Sequence, residues 1–216
     1  MTLEENITKY LDGAAGSDGR APDARYASFD YCFNYFQSFR EAGNVRAIAE
    51  PENIQLSCLH LGFYLASWGM LRGSAELLQK SARHLIPVIE LIAGPDTALW
   101  EIDAHCYTEP NIRRLIDAER IFRQAHPGMS DILVTKIMLG VFGNVPAFDT
   151  NFKKGFQVAT FGPKALRKIS AFYEEHGTVI DRYRTLTLDF VSGEPTSRKY
   201  TRAKVIDMAF FIEGMS

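Results

Sequence analysis

Asp149 stands in Val145-Pro146-Ala147-Phe148-Asp149-Thr150-Asn151-Phe152-Lys153, nineteen positions after Ser130 of His126-Pro127-Gly128-Met129-Ser130. A carboxylate held at the entry to a helix can activate water or face a developing positive charge. An Asp before Thr-Asn-Phe is equally a good helix N-cap, worth about 1 kcal/mol with no catalytic role. A Pro-Gly turn between two helical stretches makes a helical hairpin, whose second helix can aim backbone N–H groups at a phosphate. Between Gly128 and Lys168 six basic residues (Lys136, Lys153, Lys154, Lys164, Arg167, Lys168) face two acidic ones, Asp131 and Asp149. The net charge of −2 divides into −6 over residues 1–108 and +4 over residues 109–216. A basic face in an acidic protein suits a phosphate backbone, and a solvated Lys-rich surface explains it equally well.

Other constellations are weaker. Arg120 and His126 have a spacing seen in HEPN-type helical ribonucleases, but Ile121 follows the Arg and Pro127 follows the His. Trp68-Gly69-Met70-Leu71-Arg72-Gly73-Ser74 reads as a tight helix connection with Trp68 as a core anchor; Arg72 and Ser74 at a helix start could instead hold an anion. The five histidines form no His-Glu-x-x-His and no i, i+4 pair, so nothing points to a metal. There is no Gly-x-Ser-x-Gly elbow, no Walker-type phosphate loop and no dinucleotide fingerprint. No cofactor is expected.

The elements that must position these residues read as helices. Residues 1–27 look weakly ordered, a short opening helix followed by a Gly-rich connector at 13–19. A single helical domain is expected over 28–216. Ser28 caps a helix with Phe29, Phe33, Phe36 and Phe39 on one stripe, ending at Gly43. A helix follows from Glu50 to Trp68, with Leu56, Leu59, Phe63 and Ala66 as its apolar face. Further helices are expected from Ser74 to Gly94 (kinked or split at Pro87), around Thr97–Cys106, and from Glu109 to Ala125. The rest run from Ser130 to Val141, Asp149 to Val158, Pro163 to His176 and Pro195 to Ile212. Only Thr185 to Val191 alternates like a strand, and with no visible partner it is expected to be an extended segment or part of a helix. The fold class is therefore all-α, a compact domain of about eight to ten helices.

The order of these features over residues 122–156 resembles the helix-hairpin-helix DNA glycosylase superfamily. There a Pro-Gly-apolar-Gly hairpin precedes an apolar helix, and a following loop carries an aspartate that caps the next helix at the base-excision pocket. Pro127-Gly128-Met129 is similar to the hairpin, and Asp149-Thr150 with Phe152-Lys153 to the aspartate turn. The resemblance implies a glycosylase-like helical fold, DNA as the partner and Asp149 as the catalytic carboxylate. It also implies nucleic-acid contacts from Gly128, Ser130, Lys136, Asn151, Lys153 and Lys154. The chain departs from the pattern at four places. Ser130 replaces the second hairpin glycine, and Ile132 stands where bifunctional members carry a Schiff-base lysine, with Lys136 one turn further on. Asn151 stands where His is frequent, and no Cys follows Cys106 to hold an iron–sulfur cluster. The implied chemistry is monofunctional base excision. The alternative is a non-enzymatic helical interaction or regulatory protein in which Asp149 is only a cap.

Hydrophobic residues make up 46% and charged residues 23%, values of a folded globular chain rather than a disordered one. The start is polar and acidic, unlike a secretory signal, and no apolar run reaches bilayer length, so no membrane partner is expected. Cys32, Cys58 and Cys106 are odd in number and widely spaced, which suits a reducing compartment; the cytoplasm is the expected location.

Overall fold

A computed structural model describes residues 1–13, 18–71, 76–94, 96–125 and 129–215. The heart of the expected Gly-rich connector, the Arg72-Gly73-Ser74 anion site, Pro95 and the His126-Pro127-Gly128 turn lie outside the described residues. The described chain is one compact, mostly helical domain with nine α-helices: α1 (Leu3–Asp12), α2 (Ser28–Glu41), α3 (Ile54–Ser67), α4 (Ile86–Ile92), α5 (Glu109–Ala125), α6 (Asp131–Phe142), α7 (Thr150–Phe156), α8 (Pro163–Arg182) and α9 (Arg202–Met215). None of them is long and apolar enough to cross a membrane.

Helix α6 is the axis of the core. Every residue from Leu133 to Phe142 is buried, as an apolar sequence with no polar face requires. Gly140 lets Tyr64 of α3 lie against its backbone: a methyl there would sit 2.4 Å from the Tyr64 ring. Gly143 ends the helix at φ +67 and donates to the Met138 and Leu139 carbonyls. Around α6 pack α2, which brings Phe29, Phe33 and Phe36 into the core, and α3 and α5; α9, buried along most of its length, packs against α7 and α1. Within residues 1–27, α1 opens with a Thr2–Glu5 capping box and buries Ile7 and Tyr10 in the common core.

Several sequence expectations are corrected. The inward face of α3 is Ser57, Cys58, Leu61, Tyr64 and Leu65, whereas Leu56, Leu59 and Phe63 point to solvent, Phe63 being 71% exposed. Helix α3 is apolar on nearly all sides, so periodicity could not tell which stripe faces inward. The stretch from Ser74 to Gly94 divides beside Pro87 as expected, with Pro87 in the first turn of α4, but the described part before it is two 3-10 turns, Glu76–Gln79 and Ala82–Leu85, instead of α-helix. Two further 3-10 turns, Thr97–Glu101 and Ala104–Cys106, replace the helix expected there. The purely α class needs one amendment. A small antiparallel hairpin pairs β1 (Leu186–Leu188) with β2 (Pro195–Lys199), in a stretch whose second half was assigned to the last helix. The lone strand finds its partner because Asp189 and Gly193 close the turn between them.

That hairpin is tied to the core by a buried carboxylate. Asp30 accepts from Arg20 Nη1 (3.1 Å), from the Leu188 amide (2.9 Å) and from the Tyr200 hydroxyl. Burial outweighs these donors and raises the Asp30 carboxyl from 3.8 to about 6. A raised folded-state value means stability that is complete below the unfolded value and is lost as pH rises through the folded one. The stability of the wild type relative to Asp30→Asn should therefore fall from pH 4 to pH 6, by on the order of 1 kcal/mol per unit, and then level off. Urea unfolding at stepped pH measures it, and a rising or flat difference would contradict the assignment.

Helices α7 and α9 cross at glycines. A methyl on Gly214 would sit 1.9 Å from the Asn151 carbonyl oxygen, and one on Gly155 2.2 Å from that of Phe210. Gly214→Ala should cost about 1–3 kcal/mol through overpacking. Gly162→Ala, which meets nothing within 4 Å, should stay within about 0.5 kcal/mol in the same unfolding assay.

Candidate functional site

The α6–α7 connection delivers Asp149 in a fixed pose. Its backbone is clamped from two sides: the Ala147 amide donates to Asp207 of α9 (2.9 Å) and the Phe148 amide to Thr135 Oγ1 of α6 (2.9 Å). Phe148 and Phe152 are fully buried and anchor the turn from below. Asp149 then caps α7, accepting from the Phe152 amide at 3.0 Å. Its other oxygen, Oδ2, lies 3.4 Å from Lys136 Nζ.

Lys136 reaches that position from inside α6. Its side chain is only 5% exposed; Nζ also donates to the Trp68 carbonyl at 3.0 Å and lies 5.3 Å from the Trp68 ring centre. Burial lowers the ammonium from its usual range, while Asp149 and then Asp207 pull it back up. Asp207, fully buried, is itself raised by burial against the opposing charge of Lys204.

The Lys136–Asp149 pair opens onto a cavity of about 580 Å³. Trp68 and Phe211 give it aromatic surface, Ile132 and Asn151 complete its lower wall, and exposed Arg25 stands beside it with its guanidinium 5.3 Å from the Trp68 ring centre. The cavity thus joins the N-terminal half (Arg25, Trp68) to the C-terminal half, where sequence alone placed the whole site. Ile132 and Lys136, four residues later, line the same cavity because i and i+4 share a helix face. A larger depression of about 660 Å³ lies between α4 and α5, lined by Leu91, Leu99, Ile121 and Phe122 with Arg113 and Arg114. It contains none of the expected site residues and no buried charge, and the smaller cavity is the chemically equipped one.

The expected nucleic-acid contacts divide. Asn151 lines the cavity, and Lys153 and Lys154 follow on α7, half-buried and exposed, with no side-chain partner among the described residues. Lys136 is a buried cavity residue rather than a surface contact. Ser130 spends its hydroxyl capping α6, accepting from the Leu133 amide (3.2 Å). Gly128 lies outside the described residues. The basic cluster is smaller than its count, since Arg167 is paired with Glu109 and Lys168 donates to the Phe156 and Gln157 carbonyls at the end of α7. Arg120 is engaged by Asp117 at 2.7 Å on the exposed side of α5, and His126, the other half of the ribonuclease spacing, lies outside the described residues. Sequence reasoning missed Arg25, Phe211, Lys204 and Asp207. Lys204 and Asp207, opposite charges three apart within an apolar stretch, were the one legible signal of a buried pair.

Among the described residues no group of His, Cys, Asp or Glu is arranged to hold a metal ion. Compared with protein-family models, curated proteins and solved structures, the chain matches none of them.

The pair can be separated from the cap by stability. Asp149→Asn keeps an acceptor for the Phe152 amide but leaves Lys136 buried without its counter-charge, so it should cost about 3 kcal/mol. A cap alone accounts for about 1 kcal/mol. Adding Lys136→Met to Asp149→Asn should recover part of the loss in urea unfolding, and strict additivity would show that the two charges are not coupled.

Proposed function

We propose that this chain binds nucleic acid and excises a base, with Asp149 as the catalytic carboxylate and the 580 Å³ cavity as the receptacle for an extruded base. The observation that carries the reading is a buried Lys136 paired with the partly exposed Asp149 at an aromatic-walled cavity of ligand size. Trp68 and Phe211 supply apolar surface for a planar ring, and Asn151 an amide for its polar edge. As the C1′–N bond breaks, the base leaves with both bonding electrons and Asp149 faces the positive charge at C1′. Water then gives its hydroxide to C1′ and its proton to the departing base. Lys136 holds the carboxylate in place from the side away from solvent. Lys153, Lys154 and Arg25 offer cations to the phosphates on either side of the extruded nucleotide.

The test begins with short single- and double-stranded DNA across a salt series, where a linear log–log decline counts phosphate contacts. Oligonucleotides carrying a panel of modified bases follow. Asp149→Asn should retain binding and lower base release by about 10²-fold or more. Absence of binding at low salt would overturn the reading in favour of a non-enzymatic interaction protein. Borohydride trapping separates the routes: hydrolysis leaves no adduct, whereas an adduct lost in Lys136→Met would make the lysine a nucleophile despite its displaced register.

A further inference from the structure

Behind the cavity lies a second buried pair that neither the motif nor the proposed chemistry uses. Lys204 Nζ sits 3.0 Å from Asp207 Oδ2 and 2.9 Å from the Tyr10 hydroxyl, and both side chains are almost completely buried. The other oxygen of Asp207 accepts from the Ala147 amide, two residues before Asp149. One carboxylate therefore holds the backbone that presents Asp149, and its pair borders the first: Lys136 Nζ and Lys204 Nζ lie 5.3 and 5.4 Å from the centre of the same Trp68 ring. The groups facing Lys136 are Asp149 at the start of α7, Asp207 and Lys204 on α9, and the Trp68 carbonyl after α3; Arg25 shares the cavity. Asp207 and Asp149 favour its ammonium form, and Lys204 opposes them.

We propose that Asp207 is the positioning residue of this site, holding the Ala147–Asp149 turn in place while its charge, balanced by Lys204, sets the protonation of Lys136. The importance of that protonation for catalysis rests on the function proposed above; the coupling itself does not. Burial without Asp207 would leave Lys136 with one carboxylate against the combined cost of desolvation and of Lys204. An Asp at this place thus keeps the amine charged and paired with Asp149, and weakening it frees the amine.

Lysine-ζ ¹⁵N NMR titration of the free protein tests this, with Lys136 assigned by its loss in Lys136→Met. Asp207→Asn keeps an acceptor for Ala147 and removes the charge. It should lower the Lys136 midpoint by roughly one pH unit, a tenfold change in the ammonium-to-amine ratio. Lys204→Met, which leaves Asp207 unopposed, should move the same midpoint upward, and this variant serves if Asp207→Asn does not fold. The double variant, in which the two removed charges offset, should lie between the single ones. A Lys136 midpoint unmoved by these changes would overturn the proposal and leave Asp207 as a purely structural acceptor. Because the titration needs no substrate, that result is distinct from a failure of wild-type protein to bind or cleave DNA.

Discussion

Three charged side chains, Lys136, Lys204 and Asp207, are buried beside the partly exposed Asp149, where the turn before α7 is held between α6 and α9, and the four must neutralise one another. Lys136 faces Asp149, and Lys204 faces Asp207. Removing any one leaves a bare charge in an apolar interior, which costs more than the pair contributes in favour of folding. The arrangement therefore constrains three helices at once. Helix α6 must present Lys136 sideways, the turn before α7 must bring Asp149 to it, and α9 must supply Asp207 to the Ala147 amide. Polar groups this deep are retained at the expense of an easier hydrophobic core, and here they border a cavity.

Close helix approach makes that meeting possible. Gly155 and Gly214 allow α7 and α9 to cross with backbone nearly on backbone, which brings Asn151 against the end of α9. Gly140 does the same for α6 and α3 through the Tyr64 ring. The end of α3 is thereby set where the Trp68 carbonyl receives Lys136 and its indole walls the cavity. On the far side, Tyr26 stacks on both Tyr10 and Trp68, so α1 and the turn before α2 brace the same wall. The N-terminal segment is thus part of the site's support.

The hairpin after α8 shows the same logic on a smaller scale. Its first strand is held by Asp30 through the Leu188 amide and by Asn34 through the Leu188 carbonyl. Two short strands have little stability of their own, and side chains of α2 replace the further strands that a larger sheet would supply. Arg198 returns from the second strand to Glu41, closing the hairpin onto the outer end of α2.

Much of the helical framework was legible in the sequence, because capping residues, terminal glycines and the Phe29–Phe33–Phe36 stripe are local signals, although Ser28 is the first residue inside α2 and makes no capping bond. The cap at Asp149 and the start of α6 at Ser130 were readable for the same reason: each is decided by hydrogen bonds three residues long. The inward face of α3 was not readable, since a helix apolar on all sides gives periodicity nothing to select. The pairing of β1 with β2 was hidden by a second strand, Pro195-Thr-Ser-Arg-Lys, that is polar and mostly exposed. Lys136 looked like one member of a basic surface, and only the fold made it a buried partner of Asp149. Charge counts treat every lysine as solvated, whereas burial and the choice of counter-ion depend on residues up to two hundred positions apart, such as Tyr10 and Lys204. Local chemistry determined where the elements begin and end. The tertiary structure alone decided which charges meet in the dark of the core and which remain in water, because desolvation is a property of the surroundings and not of the residue.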